Sequence, residues 1–395
     1  MFELNGKYTK ATIFAETVDN EAISQILGIC NEEFAKESKI VIMPDVHAGK
    51  GCTIGTTMTI TDKVVPNLVG VDIGCGVYCV KLKEKEIDFE LLDKTIRSYV
   101  PSGMEIREKE HRFSSNVEYD NLRCKNSVNV AKAKKSLGSL GGGNHFIEVA
   151  KDEEGHLYLV IHSGSRGLGV QVASWYQKLA IKTLSSNNSE KDEIITRLKV
   201  EGREKEIQEV LKNIPKKKIN KELAYLEGEN YLDYLNDLDV VQKYSTENRK
   251  AIAETIISKM NLTEIDSFTT IHNYIDLSKN ILRKGAISAL KDEKVIIPIN
   301  MRDGSIIAVG KGNPDWNYSA PHGAGRVFSR GKAKELLSMD DFKETMSEVW
   351  STSVCESTLD ESPMAYKDIN EILGNIKDTV EVVGIIKPIY NFKAN

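Results

Sequence analysis

Five of the seven histidines sit where an imidazole could do chemistry: His47, His145, His162, His272 and His322. His47 follows an apolar run in Pro44-Asp45-Val46-His47-Ala48-Gly49-Lys50-Gly51. His145 closes a glycine triplet in Gly141-Gly142-Gly143-Asn144-His145-Phe146-Ile147-Glu148. Consecutive glycines leave N–H groups open to cradle a phosphate, and a carboxylate such as Glu148 can read a base edge. A glycine triplet is also a common turn. His162 ends an apolar run and precedes Ser163-Gly164-Ser165-Arg166, hydroxyls and a guanidinium suited to metal plus phosphate. His272 stands beside Asn273, and His322 lies among small residues in Ser319-Ala320-Pro321-His322-Gly323-Ala324-Gly325-Arg326, which let a nucleotide approach. His111, in KEKEHRF, and His156, in DEEGHLY, read as surface histidines.

A carboxylate and a thiol stand three residues apart in Gly70-Val71-Asp72-Ile73-Gly74-Cys75-Gly76. A thiolate can bridge two metals; the same pattern also fits a buried cysteine beside a turn-forming Asp. Taken together, Asp72, Cys75, His145, His162 and His272 form a ligand set suited to Mn, Zn, Fe or Co. That leaves His322 as the candidate nucleophile. The cysteines lack the paired spacing of a zinc ribbon.

These loops need elements to hold them. Residues 40–80, 136–170 and 268–330 are rich in glycine and β-branched residues. They predict short strands over Ile40–Met43, Thr57–Ile60, Val77–Leu82, Leu157–Ile161, Val295–Ile299 and Ile306–Val309. Asp19–Glu37 predicts a helix capped by Asp19. Residues 171–260 are poor in glycine and rich in Lys, Glu and Leu. Tyr231, Tyr234, Leu235 and Leu238 have helical spacing, as do Val241, Tyr244, Ile252 and Ile256. The expectation is one α+β body, residues 1–395, with a helical insertion at about 171–260. The histidine loops fall on both sides of that block, so they must converge in space. The run Lys216–Lys218 reads as a solvated face, with an RNA contact as the minority reading.

A chain of 395 residues, 41% hydrophobic and 28% charged, is long enough for a large buried core and has the make-up of a globular protein. No apolar run approaches the roughly 18 residues of a membrane span, and no export signal is visible, so a cytoplasmic location without membrane partners is expected. Six scattered cysteines predict free thiols. A net charge of −5 argues against nonspecific coating of nucleic acid but permits a local basic groove.

The ordered strings PDVHAGKG, GVDIGCGV, SLGGGNHFIEV, VIHSGSRGLG, ENR, HN, SAPHGAGRVFSR and DESPMAYKDI resemble the signature blocks of the RtcB-type tRNA-splicing ligases, from about residue 40 to the C-terminus. The resemblance implies a mixed RtcB-like fold and a GTP- and Mn²⁺-dependent RNA ligase that joins 3′-phosphate or 2′,3′-cyclic phosphate ends to 5′-hydroxyl ends. It implies that Asp72 and His145 hold one manganese, His162 and His272 a second, and that Cys75 bridges them. Asn144 would touch the GTP phosphates, Glu148 would read guanine, and His322 would carry GMP. Lys387, in VVGIIKP, takes the place of a guanine-contacting lysine, and Ser305 that of a guanine-contacting serine. Asp45 falls in the block linked to opening cyclic phosphates; Arg166, Arg326 and Arg330 would face phosphates. Asn248 and Arg249 match the family's NR pair. The implied partners are GTP and RNA with broken ends, tRNA or another structured RNA, with an activating protein as a further candidate.

The chain departs from the family pattern at Pro298–Ser305, which replaces the usual Gly-Ser-Met-Gly loop, and in being shorter than the commoner members. The short form resembles a paralogue group associated with RNA repair. The competing reading is a two-metal phosphoesterase using the same ligands with His322 as general acid. A third is a non-catalytic RNA-binding relative, which would need a broken ligand set.

Overall fold

The computed structural model describes residues 1–49, 51–186, 188–212 and 219–394; the run Lys216–Lys218 lies outside the described residues. Two sheets form its frame, and helices mix with strands along the chain in an α+β arrangement. The first sheet runs in the order Phe2–Asn5, Lys10–Ile13, Ile40–His47, Ile54–Thr59, Ile281–Lys284, Asn273–Asp276. The second runs Glu264–Ile271, Gly76–Leu82, Leu157–Ser163, Phe146–Lys151, Val380–Lys393, Gly304–Gly310, Lys294–Asn300. Its neighbours are all antiparallel. Every residue of Leu157–Ser163 is buried, because both faces of the sheet are covered.

The expected strands all form; five are extended by one to four residues at their ends, and the one expected at Thr57–Ile60 starts three residues earlier and stops at Thr59. These extensions carry the chemistry: the strand expected to end at Met43 continues through Asp45 to His47. The N-terminal helix is shorter than expected. It spans Asn20–Cys30, with the Asp19 carboxylate accepting the Ala22 N–H at 2.8 Å, and gives way to a single 3₁₀ turn at Glu33–Ala35.

The lysine- and glutamate-rich block is helical, over Arg166–Ser185, Asn188–Val200, Ile207–Lys212 and the 33-residue helix Gly228–Met260. That long helix runs through the core. Tyr234, Leu238, Val241 and Tyr244 are fully buried in the core beneath the first sheet, and Ile252 and Ile256 pack against the second. One helix thus bridges the two cores. It ends at Asn261 in the left-handed conformation (φ 55°), a common helix stop. No helix among the described residues is long and apolar enough to cross a membrane.

Strand register brings the histidine loops together. Gly76 pairs with Ser163 and with Ile271, and His162 pairs with Val77 and with Phe146. Cys75, His145 and His272 each stand one residue beyond these paired ends, and His162 one residue inside. Four side chains far apart in sequence therefore crowd one end of four adjacent strands. His272 occupies the single residue between Glu264–Ile271 of the second sheet and Asn273–Asp276 of the first, where the chain crosses from sheet to sheet.

Candidate metal centre and nucleotide cleft

The Asp72 loop is pinned from three sides. One Asp72 oxygen accepts the backbone N–H of Ser165 at 2.9 Å and its hydroxyl at 3.1 Å; the other lies 3.1 Å from His145 Nε2. Gly164 is required here, since a Cβ on it would come within 2.2 Å of Asp72 Oδ1. Cys75 Sγ lies 3.3 Å from His162 Nε2 and 3.5 Å from His145 Nε2, and the Nε2 atoms of His162 and His272 are 3.4 Å apart. Backbone carbonyls fix the tautomers: His145 Nδ1 donates to Leu140 O at 2.8 Å, and His162 Nδ1 to Asn144 O at 3.1 Å. The His162 Nε2 lone pair is then directed at the thiol.

Electrostatics match that reading. Burial, reinforced by neighbouring histidines, pushes His162 and His272 well below the usual imidazole range, so both are neutral. Burial opposes ionisation of Asp72, but bonds from His145, Cys75 and Ser165 outweigh it and hold the carboxyl below its ordinary range. Burial, and next the Asp72 charge, push the Cys75 thiol well up. A bound cation is what would draw that proton off. The potential ligand atoms fall into two groups, Asp72–Cys75–His145 and Cys75–His162–His272, each within 4.8 Å, with Cys75 common to both. The residues fit a metal centre of soft and borderline donors.

Asn248 and Arg249 lie inside the long helix, fully buried, and fasten these loops. The Asn248 amide accepts the Gly138 N–H at 2.7 Å and donates to Ser163 Oγ at 3.0 Å and Gly164 O at 3.2 Å. Arg249 donates to Gly74 O at 2.7 Å and Ser163 O at 2.9 Å. Asn248→Leu keeps the volume and removes the bonds. It should cost about 2–3 kcal/mol of stability, read by urea unfolding of metal-free protein. Metal affinity should fall roughly 10–100-fold. Unchanged metal binding would show that the helix does not position the ligands.

On the His272 side the cluster opens into a cavity of about 230 Å³. His322 stands there, its ring 5.1 Å from that of His272. Its Nδ1 is 2.7 Å from Asp45 Oδ2, and the same oxygen accepts the His322 backbone N–H at 3.2 Å. Asp45 is wholly buried, and Gly325 (φ 73°) passes so close that a Cβ would lie 2.9 Å from Asp45 O. Asp45 is thereby placed against His322. Its carboxylate accepts the Nδ1 proton and leaves Nε2 as the free nitrogen. His47 also lines the cavity, with Nδ1 3.0 Å from Asp45 O.

The far wall carries Asn144, Glu148, Ser305, Asn391 and Lys393. Glu148 is buried, which pushes its carboxyl up to about 8 against the opposing effects of Asn391 and Lys393. Among the described residues its Oε1 has no partner, nor do Ser305 Oγ and Asn391 Oδ1. Such atoms are rare inside folded proteins and mark places where a ligand completes the bonding.

Three expectations are corrected. Lys387 pairs with Lys151 along the strand Val380–Lys393 with its side chain exposed, and it does not line the cavity. The lysine that does is Lys393, six residues on, with Nζ 2.7 Å from Glu361 Oε2. Alternation along a strand could have revealed it, because Asn391 and Lys393 are polar on one face while Tyr390 and Phe392 fill the core on the other. Arg326 and Arg330 line the cavity but are engaged by Glu361, so they are not bare phosphate sites. Arg166, at φ 53°, donates to Ser139 Oγ and Gly103 O behind the glycine triplet. His111 is buried rather than exposed and meets Glu254 at 3.2 Å.

A shared-cysteine ligand cluster, opening on a cleft with a carboxylate-tied histidine and basic groups, equips a protein for metal-assisted phosphate chemistry. Comparison with known proteins gives the family. The family model described as tRNA-splicing ligase RtcB matches residues 30–129 and 114–394. RNA-splicing ligase RtcB of Escherichia coli K12 is 30% identical over 412 aligned positions, covering 94% of this chain and 94% of that protein. tRNA-splicing ligase RtcB of Aeropyrum pernix is 26% identical, covering 88% and 87%. RNA-splicing ligase RtcB2 of a second E. coli strain is 24% identical, covering 94% and 90%. The chain belongs to the tRNA-splicing ligase RtcB family. Equal coverage means that the K12 relative has about the same length, so shortness does not set this chain apart from it.

Proposed function

We propose that this protein is a GTP- and manganese-dependent RNA ligase that seals RNA 3′-phosphate or 2′,3′-cyclic phosphate ends to 5′-hydroxyl ends. The observation that carries it is the His322–Asp45 pair: a histidine with Nδ1 tied to a buried carboxylate, next to the ligand cluster, in a cleft with unpartnered base-reading atoms. Such an imidazole has one nitrogen left, and that nitrogen is a nucleophile.

The chain's own residues divide the work. His322 Nε2 attacks the α-phosphorus of GTP, forming an N–P bond as the bond to pyrophosphate breaks. Asp45 keeps the proton on Nδ1 and stabilises the charge that develops on the ring. The GMP passes to the RNA 3′-phosphate, restoring the free imidazole. The 5′-hydroxyl then attacks that phosphate and releases GMP, which closes the strand. Manganese held by Asp72, Cys75, His145, His162 and His272 would supply charge neutralisation for the phosphates. Asn144 faces the phosphates, while Glu148 and Ser305 receive the base. Phosphoryl transfer asks mainly for such positioning and neutralisation.

Radiolabelled GTP tests the reading: the protein should trap labelled GMP in an acid-labile, base-stable bond. A two-metal phosphoesterase would trap none. Sealing of 3′-hydroxyl to 5′-phosphate RNA would also overturn the proposal.

Glu148 makes nucleotide binding pH-dependent. Guanine presents N–H donors, which pair with the ionised carboxylate, yet burial keeps Glu148 protonated below about 8. Binding should therefore release a proton, and GMP affinity should rise with pH, up to about tenfold per unit, levelling off above about 8. Titration calorimetry in buffers of different ionisation heat reads the proton directly. Glu148→Gln should bind more weakly and lose the pH dependence; a pH-dependent variant would assign the effect elsewhere.

A further inference from the structure

One wall of the cleft holds a pair, Glu148 and Asn391, of which only Glu148 falls within the family strings. Asn391 and Glu148 face each other directly on antiparallel strands, so their side chains emerge side by side. Asn391 Nδ2 donates to Glu148 Oε2 at 2.9 Å. With Glu148 ionised, the form that receives guanine, that bond fixes the amide, because the flipped orientation would set two unprotonated oxygens against each other. The free atom of Asn391 is then Oδ1, an acceptor, in a side chain only 1% exposed. Beside it is Glu148 Oε1, a second unpartnered acceptor. Both residues line the cleft.

We propose that Asn391 is a specificity-determining residue whose Oδ1 accepts the 2-amino group of guanine while Glu148 Oε1 accepts N1–H. The inference rests on the assignment of Glu148 to the base. Two neighbouring acceptors match a base edge with two neighbouring donors. Guanine has that edge, with N1–H beside the 2-amino group. Hypoxanthine keeps N1–H and lacks the amino group, so it would leave Asn391 Oδ1 buried and unpaired. Adenine turns an acceptor, N1, toward Glu148. A site built to bond a ligand N–H rejects the analogue without it, because the buried partner is left unsatisfied. Nearby Lys393 Nζ is held by Glu361, so it does not compete for Asn391 Oδ1.

The alternative is that Asn391 only steadies Glu148. The two roles separate by ligand. A steadying residue serves N1–H, which guanine and hypoxanthine share; a reader of the 2-amino group serves guanine alone.

The experiment measures equilibrium binding of GMP, IMP and AMP to the full chain at a pH above about 8, where Glu148 is ionised. These ligands carry the base without a pyrophosphate leaving group, so no turnover intervenes. The wild type should bind GMP about tenfold more tightly than IMP, and AMP more weakly still. Asn391→Leu, close in volume, should bind GMP no better than IMP, with IMP within about twofold of its wild-type affinity. Equal loss for GMP and IMP would make Asn391 a positioning residue only and overturn the proposal. Equal wild-type affinity for GMP and IMP, with AMP weaker, would overturn it and leave the guanine assignment of Glu148 standing. No wild-type preference for GMP over AMP would remove that assignment as well. The wild-type comparison needs no variant. Asn391→Ser, smaller and polar, replaces the leucine variant if circular dichroism shows that leucine unfolds the strand end.

Discussion

His322→Ala should form no covalent guanylate, and sealing should fall by something on the order of 10⁴-fold or more, as when a nucleophile is removed from a site acting as a unit. The variant should still bind manganese, because His322 is not among the ligand groups around Cys75. The same reasoning makes Asp45→Asn a sharp probe. The Asp45 carboxylate accepts the Nδ1 proton at 2.7 Å. The same oxygen accepts the His322 backbone N–H, so an amide keeps its own oxygen there and the same tautomer, but carries no charge to stabilise the ring as it attacks. A loss of roughly 10–100-fold follows from the missing charge-assisted bond. Mass spectrometry settles the nucleophile, since GMP located on a lysine would remove His322 from the mechanism. An Asp45→Asn variant that guanylylates at the wild-type rate but fails on cyclic phosphate ends would return Asp45 to the role that the sequence strings implied.

Cys75→Ala should lose both guanylylation and sealing, with a stoichiometry of tight manganese below that of the wild type. Cys75 is the only residue common to the two ligand groups, and alanine offers no donor to either. Four neighbours at the site depend on it: His162 and His145 lie within 3.5 Å of Sγ, Asp72 stands in the same loop, and the Cys75 carbonyl accepts the His272 N–H at 2.9 Å. That last bond is made by the backbone, so the alanine variant should fold. Its defect should then appear as lost metal at near-normal stability. Cys75→Ser is the finer test, because a serine hydroxyl gives up its proton far less readily than a thiol and so makes a poorer anionic ligand. Near-normal activity of Cys75→Ala in manganese would end the shared-ligand reading.

The donor set was legible in the sequence because it needs unusual residues in unusual company. Asp72, Cys75, His145, His162, His272 and His322 each stand next to glycines, strand ends or hydroxyls, and each is placed at the site. The strands were legible too, from β-branched runs between glycine loops, although their ends were not. Asp45 and His47 lie in the part of their strand that alternation alone could not extend.

What the sequence could not decide was convergence. Which ends of which strands meet depends on register, and register depends on long-range pairing such as Gly76 with Ser163 and Ile271. Lys387 and Lys393 are both lysines on one strand. Only its bulge between Pro388 and Tyr390, and its pairing with Phe146–Lys151, turn Lys393 into the cleft and leave Lys387 outside. His111 looked exposed among charged neighbours, yet Glu254 on the long helix, 143 residues away, covers it. Composition made residues 171–260 look like an insertion between two halves of one body; it could not show that Asn248 and Arg249 fasten the Gly74 and Ser163 loops from inside that block. Local sequence records which side chains can bind and react; the distances between them come from packing that joins residues far apart in the chain.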